Sequence, residues 1–184
     1  FGELIQIDGS HHDWFEGRAD KCCLIVYIDD ATGKLTALEF TEVESTYDYM
    51  NITRQHVEQY GKPVAFYSDK HSVFKVNHPQ ALSGTHTTQF GRALHELNIE
   101  LICANSPQAK GRVERVNYTL QDRLIKEMRL AGISSMEAAN QWLPRFIEDF
   151  NQRFGREPYS LTDAHRPLRE SAAELDDIFS RQVT

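Results

Sequence analysis

The chain has 184 residues, 40% of them apolar, and a formal net charge of −7 from 27 acidic and 20 basic side chains. That apolar share is enough for a packed core and excludes a disordered chain, while no apolar run approaches the ~20 residues needed to cross a bilayer. Three cysteines, with Cys22 and Cys23 adjacent and Cys103 alone, make a poor disulfide framework and predict a reducing, cytoplasmic setting.

The opening FGELIQIDGS lacks an initiator methionine and the basic-then-apolar order of a secretory leader, so a segment of a longer protein is expected. ELIQID, KCCLIVYID and LTALEFTE are apolar or alternating runs, the last two joined by the turn-rich DATGK, and predict three strands with a hairpin. His11, His12, Cys22 and Cys23 are zinc-type side chains. Adjacent pairs lack the loop spacing that lets two ligands converge on one tetrahedral ion, so they read as ordinary strand and loop residues. Asp29 and Asp30 flank the hairpin turn, where Asp serves local hydrogen bonding, and with Asp13 they are not expected to hold metal.

Ser45 with Asp48 three residues on opens a helix in which Tyr49, Ile52, His56 and Tyr60 recur at helical spacing before Gly61. PVAFYSD is a short strand ending at Asp69, and the polar KVNHPQALSGTH after it reads as an insertion or loop. A short helix with Phe90, Leu94 and Leu97 on one side and the strand IELIC follow. Ser106 and Pro107 then open a long helix with a buried stripe of Val113, Val116, Leu120, Leu124 and Met128. Glu114, ~100° round from Val113, lies at the border of that stripe. A last long helix is expected from near Ser134, with Trp142, Phe146, Phe150 and Phe154 at steps of four and a kink at Pro144. Residues 1–155 therefore read as one α/β domain with a five-stranded mixed sheet flanked by helices. Residues 156–184 read as a C-terminal tail or linker toward a further domain, with a short helix around Ser171 to Phe179.

Charge is regional. Residues 1–60 hold 12 acids and 4 bases, whereas residues 106–131 hold 6 bases and 3 acids, an asymmetry compatible with a phosphate-binding face beside an acidic one. Three acids mark element ends: Asp8 closes the first strand, Asp69 the fourth, and Glu114 sits in the first two turns of the long helix, between Lys110, Arg112 and Arg115. If the first and fourth strands run side by side in parallel, Asp8 and Asp69 emerge together, where α/β folds place ligands.

The segments IDGS around Asp8, YSDKHSVF around Asp69 and TQFGRALHELNIELICANSPQAKGRVERVNYTL up to and past Glu114 resemble the catalytic core of retroviral-integrase-type (DDE) proteins. Bacterial insertion-sequence transposases are the nearest in style. The resemblance spans Glu3 to Phe154. The 44 residues between Asp69 and Glu114 exceed the usual spacing, and the loop from Lys75 to Thr88 accounts for the surplus.

The resemblance implies a ribonuclease H-like fold and a DNA transposase that cleaves phosphodiesters at element ends and joins the 3′-hydroxyl to target DNA. It implies Asp8, Asp69 and Glu114 as catalytic residues and ligands of Mg²⁺ or Mn²⁺, two ions in all, and a homo-oligomer assembled on DNA, with no membrane partner. The chemistry agrees, since three carboxylates a few ångströms apart repel one another unless hard cations neutralise them. Lys110, Arg112 and Arg115 then hold phosphates, Asn105, Ser106 and Gln108 donate to the DNA backbone at the helix start, and His71 reaches the scissile phosphate. Two alternatives share the core: a nuclease acting on RNA–DNA hybrids, which has no need of the Ser-Pro-Gln loop, and a non-catalytic assembly module, which is expected to have lost a carboxylate.

Overall fold

The computed structural model describes residues 1–69, 89–104, 111–158 and 162–180. In chain order the elements are β1 (Leu4–His12), β2 (Cys22–Asp29), β3 (Leu35–Thr41), α1 (Thr46–Tyr60), β4 (Ala65–Asp69), α2 (Gln89–Glu96), β5 (Glu100–Ala104), α3 (Gly111–Leu130), α4 (Met136–Phe154) and α5 (Ala172–Ile178). The five strands form one sheet in the order β3-β2-β1-β4-β5. The first three make an antiparallel meander, and β4 and β5 add in parallel to β1. Among the described residues no helix is long and apolar enough to cross a membrane.

The alternation in β2 explains the two-sided core. Cys22, Leu24, Val26 and Ile28 face α3 and α4, packing with Leu120, Leu124, Met128, Leu143, Phe146 and Phe150. Cys23, Ile25 and Tyr27 face α1 and α2, packing with Tyr49, Ile52, Val57, Phe90 and Leu94. An unbroken apolar run is what a central strand covered on both faces requires. The edge strand β3 is closed by α4: Asn151 accepts from Leu35 N at 2.7 Å and donates to Leu35 O at 2.8 Å, and Asn140 does the same for Phe40 at 2.8 and 3.0 Å. Two side-chain amides thus satisfy an edge that would otherwise pair with another chain.

One expectation is corrected. β1 does not end at Asp8. Its parallel pairing with β4 stops at Gln6↔Tyr67, but the antiparallel ladder with β2 continues to His12↔Cys22 and keeps the strand extended. The last long helix is capped by Ser135, whose hydroxyl accepts from Ala138 N, and it runs on through Pro144. Its final aromatic, Phe154, is 43% exposed, shielded by Phe150 and by the Arg123 guanidinium 5.0 Å from its ring centre.

The stretch read as a tail also packs on the domain. Leu175 is 2% exposed in the α1/α2 core, with Leu168, Ile178 and Phe179 against it. Lys62 and Arg166 form a backbone bridge, and the Lys62 ammonium pairs with Glu170 at 3.0 Å. Four apolar side chains over twelve residues escape a search for a long stripe, yet they suffice to fix a short helix on an existing groove. Of the hairpin acids, buried Asp29 makes the expected local contacts, accepting from Thr32 N and Thr32 Oγ1, and also accepts from Gly2 N, while Asp30 accepts from Gln6 on β1.

Candidate active site

Asp8 is half-buried on β1, and the register shows what stands beside it. Leu4 pairs with Ala65, Ile5 with Phe66 and Gln6 with Tyr67, where the parallel pairing ends, so Asp8 and Asp69 each lie two residues beyond the last pair on adjacent strands. From the other side comes α3. Asn117 Nδ2 donates to Asp8 Oδ2 at 2.9 Å, and the Asn117 carbonyl oxygen is buried without a partner among the described residues. Glu114 is exposed in the first turn of the same helix, three residues before Asn117. Residues at i and i+3 share a helix face, ~4.5 Å apart along the axis, so the Asn117 contact brings Glu114 toward the strand carrying Asp8.

The other face of β1 holds a second carboxylate. Glu44, in the β3–α1 connection, lies against Gly9, where an added Cβ would stand 2.7 Å from the Glu44 Cδ. Glycine next to Asp8 is what admits it. The buried Tyr49 hydroxyl donates to Glu44 Oε1, and burial first, then Glu44, holds that phenol far above its usual range. Burial, then Glu44 and Asp8, pushes the Cys23 thiol up to about 12.

The predicted site residues divide by where they fall. Asp8 and Glu114 are both described, and Asn117, three residues after Glu114 on α3, donates to Asp8. Asp69 and Arg112 lie in β4 and α3, with the backbone alone described. Arg115 is exposed on α3, one residue round from Glu114. His71, Asn105, Ser106, Gln108 and Lys110 lie outside the described residues, as does the loop from Lys75 to Thr88. The sequence reading missed Asn117 and Glu44. Asn117 was within reach, because it follows Glu114 at helical spacing. Glu44 had no local signal, since its proximity to Gly9 is purely tertiary.

Carboxylates such as those of Asp8 and Glu114 are hard oxygen donors, of the kind suited to Mg²⁺ or Mn²⁺. This five-stranded sheet with helices on both faces is the ribonuclease H-like fold of integrase catalytic cores. The HTLV-2 integrase catalytic core domain, solved in complex with magnesium in a trimeric form, matches with a TM-score of 0.58 over 82% of this chain and 86% of that one, at 20% identity. In sequence, the chain is 55% identical over 182 residues to a protein named as a transposase in Sinorhizobium fredii, covering 99% of this chain and 40% of that protein. It is 39% identical over 156 residues to the transposase for insertion sequence IS1202 of Streptococcus pneumoniae, covering 84% of this chain and 33% of that protein. No family model matches the chain. The chain is a homologue of one segment of insertion-sequence transposases and spans 40% or less of the length of these two relatives.

Proposed function

We propose that this chain is the catalytic core of a DDE-type DNA transposase, with Asp8, Asp69 and Glu114 as its catalytic carboxylates and the ligands of two Mg²⁺ or Mn²⁺ ions. The observation that carries the reading is the Asn117–Asp8 hydrogen bond, which draws the helix of Glu114 onto the strand next to Asp69. Such ions, when bound, supply Lewis-acid stabilisation of the charge developing on phosphodiester oxygens. Asn117 holds the Asp8 carboxylate in one orientation. Lys110, Arg112 and Arg115 hold backbone phosphates, Asn105, Ser106 and Gln108 donate to the backbone at the helix start, and His71 reaches the scissile phosphate. In cleavage a water oxygen bonds to phosphorus as the 3′-oxygen leaves. In joining, that 3′-hydroxyl oxygen bonds to the phosphorus of a target phosphodiester in line, as the target strand's own 3′-oxygen leaves and the hydroxyl proton passes to solvent or to that leaving oxygen. The protein works as a homo-oligomer assembled on element ends and target DNA.

The test is Glu114→Gln in the full-length transposase. Because Glu114 is exposed, the melting temperature should stay within ~2 °C of the parent, while metal-dependent nicking and strand transfer both fall by roughly 10³, ~4 kcal/mol of transition-state stabilisation. Retained chemistry in a folded Glu114→Gln protein removes Glu114 from the site and the reading with it.

A further inference from the structure

Successive residues of a strand point to opposite faces, so Asp8 and Gly9 look in different directions. Asp8 meets α3 through Asn117. On the α1 side, Gly9 is followed by His11, and His11 stands directly opposite Cys23 in the β1–β2 ladder. Glu44 descends onto this face from the β3–α1 connection, over the glycine that makes room for it. A ligand atom of His11, Cys23 and Glu44 each lies within 4.8 Å of the other two. Cross-strand pairing supplies the convergence that the adjacent pairs His11–His12 and Cys22–Cys23 lack in sequence.

We propose that His11, Cys23 and Glu44 form a second cation site, for a thiophilic divalent ion of the Zn²⁺ class, on the opposite face of β1 from the Asp8 carboxylate. The donor set is one sulfur, one imidazole nitrogen and one carboxylate oxygen, which suits Zn²⁺ and disfavours Mg²⁺. Bonds of 2.0–2.3 Å in tetrahedral geometry separate ligand atoms by ~3.3–3.6 Å, so the cluster closes on an ion by side-chain adjustments of about 1 Å. Tyr49 donates to the Glu44 carboxylate, an outer contact of the kind that orients metal ligands. Cys23 is fully buried and His11 exposed, so the sulfur is shielded while the ion enters from the His11 side, with a fourth position open to water. An ion there ties β1, β2 and the β3–α1 connection together beside Asp8. The site is independent of the transposase reading, because none of its ligands belongs to the proposed catalytic set.

The test uses the reduced, chelator-treated protein titrated with Co²⁺ and then Zn²⁺. One equivalent of Co²⁺ should bind with a thiolate-to-metal charge-transfer band, Zn²⁺ should abolish the band by displacement, and Zn²⁺ should raise the melting temperature as its concentration rises. Excess Mg²⁺ should leave the band intact. Cys23→Ser should eliminate it, and His11→Ala, at an exposed position that does not threaten folding, should weaken Co²⁺ binding at least tenfold. Absence of the band, its survival in Cys23→Ser, its displacement by Mg²⁺, or unchanged affinity in His11→Ala would each overturn the proposal.

Discussion

Asn117→Asp replaces an amide that orients Asp8 with a group of nearly the same shape that cannot donate when ionised. Two effects add. The lost bond, 2.9 Å long and directed at a carboxylate, belongs to the class contributing ~1.5–3 kcal/mol. The new carboxylate also faces Asp8 at ~4 Å, a repulsion of ~4 kcal/mol at an effective dielectric of ~20 and only ~1 kcal/mol in bulk water. Asp8 is half-buried, so values toward the low end apply, and the expected loss without metal at pH 7 is about 2–4 kcal/mol. For a chain of this size that lowers the melting temperature by ~5–15 °C. Asn117→Ala loses the bond alone and should cost about 1–2 kcal/mol. The assay is urea and thermal unfolding of parent and both variants, with and without millimolar Mg²⁺. Divalent cation should narrow the Asn117→Asp deficit, because an ion between carboxylates turns repulsion into shared ligation. If Asn117→Asp proves no less stable than Asn117→Ala without metal, Asp8 is not the anion the geometry implies. A deficit indifferent to Mg²⁺ refutes shared ligation.

Gly9→Ala sets a methyl group 2.7 Å from the Glu44 Cδ and should displace that carboxylate, costing about 1–3 kcal/mol in denaturant unfolding; an unchanged midpoint would mean that Glu44 moves aside freely. Leu175→Ala empties a buried position contributed by α5 and should cost ~2–4 kcal/mol in one cooperative transition, whereas a negligible effect would detach residues 162–180 from the folded unit. His56 is buried with its Nε2 3.0 Å from His165 Nε2, and burial, then His165, lowers its pKa to about 3. The unfolded state, near 6.5, takes up the proton first. The stability tied to neutral His56 is therefore complete above pH ~6.5 and declines toward pH 3, by up to ~1.4 kcal/mol per unit. Unfolding of parent and His56→Gln at pH 7, 5 and 4 should show a shallower acid decline in the variant, and identical slopes would exclude His56 as a source.

The sequence by itself determined the order of elements, because each carries its own period: the two-sided apolar run of β2, the fourfold spacing along α3 and α4, the Ser45–Asp48 cap of α1. It also marked Asp8, Asp69 and Glu114 as candidates, through the distinctive residues that flank each of them. What it could not supply was anything set by register and approach. That β1 extends past Asp8 depends on its antiparallel ladder with β2, and that β4 runs parallel beside β1 up to Gln6↔Tyr67 depends on the β1–β4 offset. Asn117 finds Asp8, and Glu44 finds Gly9, across separations of 109 and 35 residues that no local pattern encodes. The tail folds back because a few apolar side chains meet a groove made by α1 and α2. His11 and Cys23 look unsuited to a common ion as neighbours of His12 and Cys22, and become partners only when the hydrogen-bonded ladder sets them face to face. Local periodicity is written in the chain one residue at a time, whereas the pairing of strands and the landing of loops are fixed by the packed whole.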